Sequence, residues 1–162
     1  DVEQSWPVVY PNLPLEGVVT TRGLANSERL ANECITVVAL EGLARTDLGQ
    51  DYFVADPLTN KEWAGAGQDQ TPLPLPADMP VMIAQSTADE VVLAWPNALL
   101  QQSWCSAGST ISMLWLGEVT HQATAVVAGP AVVAWIADRF AGRPAGRTCD
   151  VPPPVRAPAQ SG

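Results

Sequence analysis

The sequence has 162 residues, 47% of them hydrophobic and 15% charged, enough apolar side chain to build a core and too short for two ordinary domains. Composition therefore excludes a chain disordered throughout. Eight Lys and Arg against 17 Asp and Glu leave a net charge of −9, a surface that repels phosphate backbones and argues against a nucleic-acid partner.

Asp1 is preceded by no initiator Met and followed by no basic and apolar signal regions, so the chain is expected to begin at a processed or truncated end. Residues 1–23 carry Pro7, Pro11 and Pro14 and end at Arg22 and Gly23, which predicts extended, irregular connecting chain. From Ser27 to Leu43, the apolar positions Leu30, Cys34, Val37, Val38 and Leu43 recur at helical spacing. They predict one helix, capped by Ser27 with Glu28 in its first turn. Residues 46–80 are rich in Pro and Gly and predict loop, with a short turn at Trp63.

After Pro80 the pattern changes. Val81-Met82-Ile83-Ala84 is a continuous apolar run that predicts a parallel strand buried on both faces. Trp95 to Ser106 predicts a helix, with Pro96 near its start and Gly108 just past its end. Thr110 to Leu116 predicts a second strand, and Ala125 to Phe140 an apolar helix ended by Arg139 and Gly142. The apolar stretch Ala123–Ala137 is interrupted by Gly129 and Pro130 and is expected to fall short of a bilayer span, so no transmembrane segment is expected. Val151 to Gly162 has four prolines and predicts a loose tail.

Strand, helix, strand, helix is a βαβα unit of an α/β fold. In such sheets reactive groups sit on loops at the carboxyl ends of strands. Asp89 follows the first strand and His121 the second, 121 − 89 = 32 residues apart, which lets the two loops converge and a carboxylate orient an imidazole. Acid before histidine is also the α/β-hydrolase order. The plainer alternative is an Asp that caps the next helix and a structural His. With one His and three scattered Cys, no metal site or other cofactor is expected.

Several segments together resemble the secretory lipase family of secreted α/β-hydrolases. They are Pro80-Val81-Met82-Ile83-Ala84-Gln85, Thr87-Ala88-Asp89-Glu90-Val91-Val92, Trp104-Cys105-Ser106-Ala107-Gly108-Ser109, His121, and Trp135 to Ala145 with Cys149. Tyr10-Pro11-Asn12-Leu13, Cys34-Ile35 and Trp63 extend the resemblance more weakly toward the N-terminus. It implies the C-terminal part of an α/β-hydrolase fold preceded by part of a cap. Residues 1–45 would be cap-related and connecting chain, 46–149 core, and 150–162 a Pro-rich tail. Asp89 would be the triad acid and His121 the base. Cys105 and Cys149 would form a disulfide. Cys34 would bond to the N-terminal half, as an interchain bridge if that half is a separate polypeptide; a buried free thiol is the alternative. Apolar residues from Trp6 to Val19, with Trp63 and Trp95, would line an acyl pocket or simply pack as core. The chain departs from the family pattern at Ser86, where Gly is usual, and at Thr120-His121-Gln122, where His-Gly follows an acidic or small residue.

No Gly-x-Ser-x-Gly sequence occurs in the chain. The resemblance then implies a second polypeptide bearing the N-terminal half and the nucleophilic Ser, acting on ester substrates in a secreted, extracellular assembly. Two other readings stay open: a non-catalytic hydrolase-like binding module, and an acyltransferase of the same fold. The break before Asp1 is expected to reflect either maturation or an accidental cut of a single-chain enzyme.

Overall fold

A computed structural model describes residues 2–34, 37, 38, 40 and 52–157. The chain divides into two compact units, Asp1–Pro72 and Leu73–Gly162.

The first unit departs most from the sequence expectations. Residues expected to be extended instead form helix α1, Val2–Val9, with Pro7 inside it. Proline removes one helical hydrogen bond, but stacking of Trp6 on Trp63 (5.8 Å between ring centroids) and its edge contact with Tyr10 (6.2 Å) fix the helix by packing. Helix α2 spans Thr21–Leu30, several residues earlier than predicted, and Thr20 caps it by accepting from the Gly23 N–H at 2.9 Å. Ser27, the expected cap, lies within α2 and is fully buried. The helix ends at Leu30, with Ala31 as its C-cap, and residues 31–34 are not helical, so no single helix runs from Ser27 to Leu43; most of 35–43 lies outside the described residues. Gly23 is needed for close approach, since a Cβ there would meet the Tyr52 carbonyl oxygen at 2.5 Å. That carbonyl accepts from the Thr20 N–H at 2.9 Å, beside the antiparallel bridge Val19↔Phe53.

The turn expected at Trp63 is a full helix, α3, Lys61–Asp69, preceded by a 3-10 turn at Pro57–Thr59. Asn60 caps α3 through Oδ1, which accepts from the N–H groups of Glu62 (3.0 Å) and Trp63 (3.2 Å). Trp63, 2% exposed, is the centre of a core with Leu13, Val18, Val19 and Ala66, and its indole N–H donates to the Pro14 carbonyl at 2.7 Å.

The second unit follows the predicted order. Strand β1 (Val81–Ser86), helix α4 (Ala94–Ser106), strand β2 (Ile111–Leu116) and helix α5 (His121–Phe140) make a two-stranded parallel sheet with flanking helices, an α/β arrangement. The register runs from Val81↔Ile111 to Ser86↔Leu116. On one face Val81, Ile83, Ile111, Met113 and Trp115 meet Leu100, Trp104 and Cys105 of α4. Gly108, at φ 87°, turns the chain out of α4, as the sequence predicts. Cys105 and Cys149 are disulfide-bonded. Beside β2, the Thr148 N–H donates to the Ile111 carbonyl (3.0 Å) and the Met113 N–H to Thr148 Oγ1 (2.8 Å), so residues 146–148 run along that strand. Gln101, 2% exposed, donates to the Thr148 and Val151 carbonyls and accepts from the Trp115 indole. The start of the expected loose tail is therefore tied down at Val151.

Two expectations change here. Val81–Ala84 are only half-buried within the chain, not sealed on both faces. Helix α5 starts at His121, four residues early, and continues through Pro130 for 20 residues, so by length and composition it is apolar enough to cross a membrane. It lies along β1 with Ala128 buried, while Val126, Val133 and Phe140 are exposed.

Candidate active site

The site is built at the carboxyl ends of the two strands. The ladder closes with the Thr87 N–H donating to the Leu116 carbonyl at 2.8 Å, after which each strand gives way to a loop. Gln85, buried at the end of β1, shapes the first loop. Its Nε2 donates to the Ser86 and Val92 carbonyls at 2.9 and 3.0 Å, and its Oε1 accepts from the Asn97 side chain on α4. Within this loop Asp89 Oδ1 accepts from the N–H groups of Val91 (3.0 Å) and Val92 (2.8 Å), an Asx-type turn that fixes the carboxylate plane.

The second loop, Gly117 to Thr120, contains Glu118 in the left-handed region at φ 49°. A non-glycine residue there costs roughly 1–2 kcal/mol and persists only where its surroundings hold it. The following Val119 N–H donates to Ser86 Oγ at 3.2 Å, and the same oxygen accepts from the Ala88 N–H at 3.1 Å. Ser86 is fully buried. One turn on, the His121 N–H donates to Glu90 Oε2 at 3.2 Å, so an acidic side chain of the first loop satisfies a free amide at the start of α5.

These ties bring the two sequence-predicted residues together. His121 Nδ1 lies 3.0 Å from both Asp89 carboxylate oxygens. Asp89 is almost wholly buried at 5% side-chain exposure, and the His121 side chain is 39% exposed. Burial by itself pushes the Asp89 carboxyl up, but the hydrogen bonds from Val92, His121 and Val91 outweigh it and hold the group below its ordinary value. An ionised carboxylate can only accept, so the proton between the two groups sits on Nδ1, and in the neutral imidazole Nε2 carries the lone pair. Asp89 and His121 face a cleft of about 610 Å³ whose walls are mainly apolar: Ala84, Val92, Ala125, Ala128, Val132 and Val133, with Gln85 and Asn97. The arrangement can orient an imidazole, hold its positive charge against a buried anion, and use Nε2 to move a proton.

The remaining predicted residues fall elsewhere. Cys34 is exposed with a free thiol. Trp63, Leu13, Val18 and Val19 are core of the first unit, and Trp95 is half-buried on α4. Among the described residues no group of three or more His, Cys, Asp or Glu side chains is arranged to hold a metal ion. Sequence reasoning names Ser86 only as a departure from a pattern and gives Glu90 no role. A polar residue closing an apolar strand, and an acid beside Asp89, are the signals that point to them.

A family model described as Secretory lipase matches residues 52–148. No curated protein and no solved structure matches the chain.

Proposed function

The chain belongs to the secretory lipase family, and we propose that it forms the C-terminal part of an α/β-hydrolase core in which Asp89 and His121 act as acid and base of a serine ester hydrolase. The observation that carries this reading is the paired carboxylate and imidazole at the strand ends, opening on an apolar cleft. The nucleophilic serine comes from another polypeptide segment, since this sequence holds no Gly-x-Ser-x-Gly elbow.

His121 Nε2 removes the serine hydroxyl proton as the oxygen attacks the ester carbonyl. The carbonyl π electrons move to oxygen, and the tetrahedral intermediate collapses by breaking the bond to the alcohol oxygen. The imidazolium returns its proton to that departing alcohol. Water then repeats the cycle on the acyl-serine: His121 takes its proton, the acid is released, and serine recovers its hydrogen. Asp89 stays ionised throughout, fixing the tautomer and facing the positive charge.

The decisive test is labelling of the native assembly with a fluorophosphonate, followed by intact mass before and after reduction. The expected result is a labelled serine outside this sequence, with labelling and ester hydrolysis falling by about 10⁴-fold or more in His121→Ala. Labelling that survives this substitution overturns the triad. Exposure of Cys34 supports a disulfide to the second polypeptide, in which case reduction releases this chain; a mass unchanged by reduction overturns the bridge.

A further inference from the structure

We propose that Ser86 is the positioning residue of this site, its single hydroxyl oxygen tying the loop that carries the acid to the loop that carries the base. The inference rests on the reading of Asp89 and His121 as the catalytic pair.

Strand pairing ends at Ser86↔Leu116, so the sheet itself does not set the distance between Asp89, three residues past Ser86, and His121, five past Leu116. That distance depends on bonds between the loops. Ser86 Oγ accepts from the Ala88 N–H, directly before Asp89, and from the Val119 N–H, two residues before His121. Glu90 also bridges the loops, but it is exposed, and water readily replaces an exposed carboxylate as acceptor. Ser86 is fully buried, so its oxygen meets the two amides from the protein interior, out of competition with solvent for the same position. Glu118 agrees with this role: its left-handed backbone sits immediately before the amide that meets Ser86. Ser86 is absent from the walls of the cleft, which separates it from groups that touch substrate. Alanine there removes the acceptor and leaves two amides without it, whereas the reactive pair keeps every atom. A misplacement of about 1 Å of a reacting group can cost on the order of 100-fold in rate.

The test uses the native protein carrying Ser86→Ala, Ser86→Cys or His121→Ala, with a p-nitrophenyl ester as substrate. The readouts are kcat, KM, the melting temperature and the downfield proton resonance of His121 Nδ1–H. The expected outcome for Ser86→Ala is a kcat lower by about 10- to 100-fold, KM within about twofold, and a displaced or broadened Nδ1–H resonance. Ser86→Cys, close in size but a weaker acceptor, falls between alanine and serine. A lowered melting temperature with unchanged kcat and an unmoved resonance makes Ser86 merely structural and overturns the proposal, while an inactive His121→Ala leaves the catalytic reading standing. If Ser86→Ala does not fold, wild-type kcat and resonance in Ser86→Cys overturn it instead. Activity retained in His121→Ala removes the catalytic reading first and this proposal with it.

Discussion

The two units of the chain hold themselves together differently. In the first, the core is aromatic and aliphatic: Trp63 with Trp6, Tyr10 and Phe53 around Leu13, Val18 and Val19. Among its described residues the buried polar ones are Asn26 and Ser27. The second has a smaller apolar centre at Trp104, Ile111 and Met113, and buries Gln85, Ser86, Asp89, Gln101, Ser109 and Ser112. Most of those groups bond to backbone: Gln101 to Thr148 and Val151, Ser109 to Leu75, Ser112 to Gly146. Apolar burial is non-directional and rewards any tight packing, whereas a buried hydrogen bond rewards one geometry. The first unit is thus built to cohere, and the second to hold atoms at set distances.

That contrast can be broken by experiment. The largest expected effect on stability is Trp63→Ala, about 3–5 kcal/mol, read by amide hydrogen exchange of the native protein. Protection is expected to fall in α1 and α3 and to persist in β1 and β2; equal loss in both units abolishes the distinction. Next comes replacement of Cys105 and Cys149 by alanine. The two lie 44 residues apart, and loop closure of that length sets an expected loss of roughly 4 kcal/mol in thermal unfolding of the second unit. A loss under about 1 kcal/mol shows that the polar bonds around Thr148 suffice alone.

The smallest effect sharpens the comparison through pH. Asp89 has a folded pKa lowered from 3.8, so its contribution to stability is complete above that unfolded value and vanishes as pH falls through the lower folded one. The melting temperature of the wild type is therefore expected to exceed that of Asp89→Asn at neutral pH, with the gap closing below about pH 3.8. A gap independent of pH removes the charge from the account.

The same contrast explains what the sequence discloses. β1 and β2 are legible from their short runs of apolar residues and strand formers, and α4 and α5 from the Gly just past each helix end, Gly108 and Gly142. α1 is not, because Pro7 argues against a helix that the packing of Trp6 against Trp63 and Tyr10 sustains. α3 is obscured by Gly65 and Gly67, although Asn60 two residues before Glu62 is a readable start signal. At the site, Asp89 and His121 follow from chain order and spacing. The roles of Ser86 and Glu90 do not, since each meets amides more than 30 residues away in sequence, a relation no local pattern carries.

The segment beside β2 has a consequence for the edges of the sheet. In a strand, alternate residues direct their peptide groups to opposite edges. On β2 the outward groups of Ile111 and Met113 are already engaged by Thr148, whereas on β1 those of Met82 and Ala84 face away from the ladder. The two edges of the sheet therefore differ: at Ile111 and Met113 the outward groups are taken by the chain itself, whereas along β1, directly below the loop that bears Asp89, they point away from the ladder.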